Sequence, residues 1–95
     1  MTVYEWINSK NHVIINFNKY MDGDYIEILE IKMDINCEWI TSNDDRTLTF
    51  FPITAIRTFY SDQIPQNDIA MIAILDQMYE ELTEFFNKLK KYKTK

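Results

Sequence analysis

Few side chains in this chain could do chemistry. His12 is the one histidine and Cys37 the one cysteine in 95 residues. A general base or a zinc site needs partners arranged around the imidazole, and the flanking Asn11 and Val13 point only to the start of a surface strand. A nucleophilic thiol needs a neighbouring cation to lower its pKa, and no lysine or second histidine flanks Cys37, which reads instead as a small core side chain. A lone thiol closes no intramolecular disulfide and matches no metal-ligand spacing. With Gly23 the one glycine, a glycine-rich phosphate loop is also excluded. The expectation is a protein with no catalytic, cofactor or metal site, and not an enzyme.

Three groupings remain that carry charge or stacking surface. Asp22, Asp24, Glu27, Glu30, Asp34 and Glu38 form an acidic row. Such an array could occupy a basic groove that otherwise takes nucleic-acid phosphates, although exposed strands also carry acids merely to discourage edge pairing. Trp39, Phe50, Phe51, Phe59 and Tyr60 suit a base-stacking platform, but only Arg46 and Arg57 lie among them, so core packing is the plainer reading. Lys88, Lys90, Lys91, Lys93 and Lys95 could contact nucleic acid or an anionic surface, or simply complement a helix dipole.

The charge balance is lopsided. The formal net charge is -5, yet all fifteen acidic side chains and only five of the ten basic ones precede Lys88. An acidic body argues against a broad phosphate-binding surface, which needs Lys and Arg clustered on one face. Residues 1–10 lack the layout of a signal peptide, and no stretch nears the roughly 18 consecutive apolar residues of a membrane span. A cytoplasmic protein with no membrane contact is the expectation.

Positioning these groups requires a fold, and 46% hydrophobic and 15% aromatic residues suffice to build one. One domain over residues 1–95 is expected, of the α+β class: an antiparallel β-meander of four to five strands over about 12–60, then one long amphipathic helix over about 67–92. Thr2 followed by Glu5 is a capping box for a short helix, although residues 2–10 could equally form an edge strand. Residues 12–20 alternate in polarity as a half-buried strand does, and Asp22-Gly23 supplies the hairpin turn.

The returning strand, residues 25–36, breaks phase. Ile26 and Ile28 share one parity, while Leu29, Ile31, Met33 and Ile35 share the other. A β-bulge near Ile28 and Leu29 would restore one apolar face and send Glu27, Glu30, Lys32 and Asp34 to water. The alternative is a strand covered on both sides. Residues 37–42 and 46–51 read as a second hairpin around 43–45. Pro52 should end, bend or lie at the edge of its strand, and residues 53–60 form a fifth.

Asn67 or Asp68 is placed to cap the helix. Within it Met71, Leu75, Met78, Leu82, Phe85, Leu89 and Tyr92 are spaced by alternating fours and threes, a heptad seam. A helix of some 26 residues spans roughly 39 Å, whereas an ordinary strand covers roughly 17–20 Å. The C-terminal half should therefore overhang its sheet, leaving Leu82, Phe85, Phe86, Leu89 and Tyr92 to meet a second copy or another protein.

The reading as a whole is a non-enzymatic acidic regulatory or inhibitory protein-binding module, with a homodimer through the C-terminal helix. Plentiful Ile, Asn, Lys, Asp and Tyr suggest an AT-rich coding source, and with the acidic body they suit a phage or mobile-element inhibitor of a host nucleic-acid enzyme such as a CRISPR nuclease. The alternative is a small nucleic-acid-binding module that uses the strand aromatics and the lysine tail.

Overall fold

The computed structural model describes the backbone of residues 1–10, 13–40 and 48–93, and the side chains of residues 1–10, 13–35 and 53–88. Six elements follow in order: α1 (Val3–Asn8), β1 (Val13–Asp22), β2 (Ile26–Ile40), β3 (Leu48–Tyr60), a short 3-10 turn (Ser61–Gln63) and α2 (Asp68–Lys93). The class is α+β, with an antiparallel sheet followed by a C-terminal helix. The expected turn at 43–45 lies outside the described residues.

Among the described residues the sheet has three strands in the order β1-β2-β3, short of the four to five expected. Residues 26–40 form one strand, and so do residues 48–60, with Pro52 inside it. The apparent break at Pro52 is harmless because β3 is an edge strand, where a residue without an N–H is tolerated if its nitrogen side faces away from the ladder. β1 and β2 are joined by Gly23-Asp24-Tyr25, with Asp22 opposite Ile26, and Gly23 takes a φ of +73° that L side chains rarely adopt.

No bulge interrupts the pairing. The β1–β2 register runs unbroken from Val13 opposite Ile35 to Asp22 opposite Ile26, and the β2–β3 register from Ile28 opposite Tyr60 to Ile40 opposite Leu48. Ile28 and Leu29 therefore point to opposite faces, and both are buried. On one face Leu29, Ile31 and Met33 meet Leu75, Met78 and Leu82 of α2, together with Trp6 of α1, Ile53 of β3 and Ile64 ahead of α2. Ile31, Met33, Leu75 and Met78 lose essentially all solvent contact. At about 1.5–3 kcal/mol per fully buried side chain, these contacts dominate the driving force.

Both helices start where their caps dictate. Thr2 and Glu5 close the capping box: the Glu5 N–H donates to Thr2 Oγ1 at 3.1 Å and the Thr2 N–H donates to Glu5 Oε1 at 2.9 Å. Asn67 caps α2, its Oδ1 accepting from the Ala70 N–H at 2.8 Å. The two helices then lock together, with Trp6 and Tyr79 edge to face at 6.1 Å and Lys10 Nζ 5.2 Å and 4.9 Å from their ring centroids.

The helix length that suggested an overhang is matched by the sheet. β2 has 15 residues and β3 has 13, so each runs roughly 43–50 Å beside a helix of roughly 39 Å. Leu82 is accordingly 3% exposed, a core residue and not available to a partner. Phe86 is half-buried against the same core. The seam also drifts, because a straight α-helix rotates about 20° per seven residues away from a 3.5-residue repeat. Met78 is buried, whereas Phe85 one heptad later is 52% exposed, turned toward the open flank beside β3.

Candidate functional site

The helices cover only one side of the sheet. The even-numbered positions of each strand face the other side, which no described element covers. Cross-strand rows follow from the register: Ile14 beside Asp34 and Thr54, Asn16 beside Lys32 and Ile56, Asn18 beside Glu30 and Thr58, Tyr20 beside Ile28 and Tyr60. An antiparallel sheet with one solvated face normally carries polar residues there. Here Ile14, Tyr20, Ile26, Ile56 and Tyr60 are all large, apolar and exposed.

The Tyr20-Ile28-Tyr60 row is the best-formed part of this face. Ile28 retains only 5% of its surface yet belongs to no part of the helix-side core. Its register partners are Tyr20 and Tyr60, one on each side, and aromatic rings flanking a β-branched residue are a favourable cross-strand arrangement. The tyrosines themselves keep about half of their surface in water, 43% and 51%. They form a raised apolar ridge across all three strands.

Charge borders the ridge. Asp22, Glu30 and Asp34 share the uncovered face with, among the described residues, a single cation, Lys32. The Thr54 hydroxyl donates to Asp34 Oδ1 across the β2–β3 pair, which holds that carboxylate in place. Glu30, Lys32 and Asp34 thus run down the central strand between exposed apolar side chains of β1 and β3, and the Tyr20-Ile28-Tyr60 ridge closes one end of the face.

The six acidic residues grouped from the sequence do not form one row. Glu30, Asp34 and Asp22 share the uncovered face. Glu27 falls on the opposite face, where it pairs with Lys19 at 2.6 Å, and Asp24 sits in the turn. The Glu38 side chain lies outside the described residues. Without a bulge, one residue of offset reverses the face on which a side chain emerges.

Of the expected helix interface, Leu82 is inside the core, Phe86 packs against it and Phe85 alone stands half exposed. The Leu89 and Tyr92 side chains lie outside the described residues. So do those of His12, Cys37, Trp39, Arg46, Phe50 and Phe51, and those of the lysines beyond Lys88. Phe59 packs on the core, whereas Tyr60 is on the uncovered face, so this adjacent aromatic pair does split between the two sides.

The sequence signal for this face was the phase break itself, since Ile26 and Ile28 of one parity beside Leu29 and Ile31 of the other can mean apolar residues on both sides. Among the described residues no cluster of three or more His, Cys, Asp or Glu side chains could hold a metal ion, and no helix is long and apolar enough to cross a membrane. Comparison with protein-family models, curated proteins and solved structures finds no match to this chain.

Proposed function

We propose that this protein acts by binding another protein through the uncovered face of its sheet, as an acidic regulatory or inhibitory module and not as a catalyst. The observation that carries this reading is the group Ile14, Tyr20, Ile26, Ile56 and Tyr60, five large apolar side chains exposed on one face. The Tyr20-Ile28-Tyr60 row is the contiguous part of this group, and exposed apolar surface of this kind marks interaction sites. Asp22, Glu30 and Asp34 on the same face, against Lys32 as the one cation among its described residues, favour a partner whose contact surface mixes apolar and basic side chains. A nucleic-acid enzyme, with basic grooves of its own, meets that description.

A protein partner is favoured over a second copy. A homodimer along the C-terminal half of α2 would have drawn on Leu82, which the chain buries itself, and two copies each at -5 repel as they approach. Direct binding of nucleic acid is disfavoured for the same electrostatic reason, because tyrosines can stack bases but the surrounding acids oppose the phosphates. Gel-shift titration of the purified chain with single- and double-stranded DNA and RNA tests this choice. The expected result is no shift at near-physiological salt, and tight, salt-sensitive binding would refute the proposal.

A further inference from the structure

The tyrosine row of the docking face has a chemistry of its own. Ile28 is buried although no described helix covers its side of the sheet, so its cover comes from its register neighbours, Tyr20 on β1 and Tyr60 on β3. Rings that lean over Ile28 pack one π face on it and turn the other to water, in keeping with tyrosines that are each about half exposed. Two outward π faces thus sit over an apolar floor.

Negative charge brackets this platform. Asp22 stands one row beyond it, opposite Ile26, and Glu30 one row before it, between Asn18 and Thr58. Two residues of strand put Glu30 roughly 6–7 Å from Ile28 on the same face. Glu30 is half-buried, and among the described residues it joins no ion pair or hydrogen bond. The nearest cations are committed or distant: Lys19 points to the other face and pairs with Glu27, and Lys32 lies two rows from the tyrosines.

We infer that this platform takes an arginine side chain of the protein partner, its guanidinium laid across the Tyr20 and Tyr60 rings and paired with Glu30; the inference rests on the docking reading above. The π faces attract a cation, and a guanidinium is planar and weakly hydrated, so it stacks on them flat. Its forked N–H donors also match a carboxylate, which gives Glu30 the partner it lacks. A lysine ammonium supplies the charge without the plane. A purely apolar side chain would cover Glu30 and leave it desolvated and unpaired. Asp22 and Glu30 together repel an anion.

The test is an NMR titration of the full-length chain with the blocked tripeptide Ala-Arg-Ala. The expected result is saturable, millimolar binding whose amide shifts centre on Tyr20, Ile28, Glu30 and Tyr60. Citrulline in place of arginine keeps the shape and removes the charge, and should bind at least about tenfold more weakly; lysine should bind at least about threefold more weakly. Glu30→Gln, and separately Tyr20→Leu with Tyr60→Leu, should each weaken the arginine peptide at least about fivefold. The leucines keep Ile28 covered, and unmoved signals from Ile31 and Met33 would show that the fold is intact. Equal binding of the citrulline or lysine peptide, unchanged binding by Glu30→Gln, or no shifts in this row would overturn the inference. The docking reading is decided separately by Ile14→Glu/Ile56→Glu, whose sites lie three and two rows from the tyrosines. A protein partner lost on that double variant, with the tripeptide leaving the tyrosine row unmoved, would keep the docking face and discard the arginine site.

Discussion

The indole Nε1–H of Trp6 donates to Asp76 Oδ1 at 2.7 Å, joining α1 to the middle of α2 across 70 residues of sequence. The same ring is 3% exposed and meets Tyr79 edge to face. This contact makes the N-terminal helix part of the core, not an appendage. Trp6→Ala should cost about 3–5 kcal/mol, as other large-to-small core changes do. Trp6→Phe keeps most of the volume, so a double-mutant cycle with Asp76→Ala, measured by urea unfolding, should report a coupling of about 1 kcal/mol for the hydrogen bond. A coupling near zero would mean that the indole N–H is equally well served by water.

The two ends of the heptad seam should behave differently. Leu75 and Met78 are fully buried, and Leu75→Ala should cost about 2–5 kcal/mol. Phe85→Ala should cost less than about 1 kcal/mol, because half of the ring is already in water. Chemical denaturation of the two variants checks this, and comparable losses would place Phe85 inside the fold.

Gly23 faces no steric obstacle, since an added Cβ would meet nothing within 4 Å. Its φ of +73° is the constraint. Gly23→Ala should therefore destabilise by about 1 kcal/mol through the left-handed backbone alone, and Gly23→Asn by less, because Asn tolerates that region better. Thermal unfolding ranks the three chains, and equal stability of Ala and Gly would remove the turn's conformational argument.

Glu5 gives the N-terminal helix a pH response. The Thr2 backbone N–H and then the Thr2 hydroxyl interact with its carboxylate and hold its pKa below the ordinary value of 4.5. A depressed folded-state value means that the cap's contribution is present above the unfolded pKa and is lost as pH falls through the lowered folded one. The amide signals of Thr2 and Glu5, followed by NMR, should shift in the acid range below 4.5 in the native chain and stay flat in Glu5→Gln. Identical titrations would show that another group governs the transition.

Much of this arrangement is legible from residue order. The Thr2-Glu5 capping box, the Asp22-Gly23 hairpin and the Asn67 cap each rest on a local hydrogen bond or dihedral preference, and local physics decides them. What residue order conceals is which side of an element will have a neighbour. Pro52 suggests a strand break because nothing local says that β3 is an edge. The Ile28-Leu29 phase break suggests a bulge because nothing local says that tyrosines on both neighbouring strands will flank Ile28. Leu82 and Phe85 look equivalent on a 3.5-residue repeat, and only the 3.6-residue turn of a straight helix over a long sheet separates them. The uncovered face is therefore visible in sequence only as an irregularity.

The claim at the centre of this account is that the face bearing Ile14, Tyr20, Ile56 and Tyr60 is where a protein partner docks. The most direct test is quantitative mass spectrometry of proteins retained from an extract of the source cells by three immobilised chains: the native one, the double variant Ile14→Glu/Ile56→Glu, and Tyr4→Ser, which alters an exposed tyrosine on α1 away from the face. Circular dichroism confirms beforehand that all three are folded. The account predicts one protein retained equally by the native chain and Tyr4→Ser and reduced at least roughly tenfold by the double variant, since two charges would be buried without partners. Equal retention of that protein by all three would contradict it.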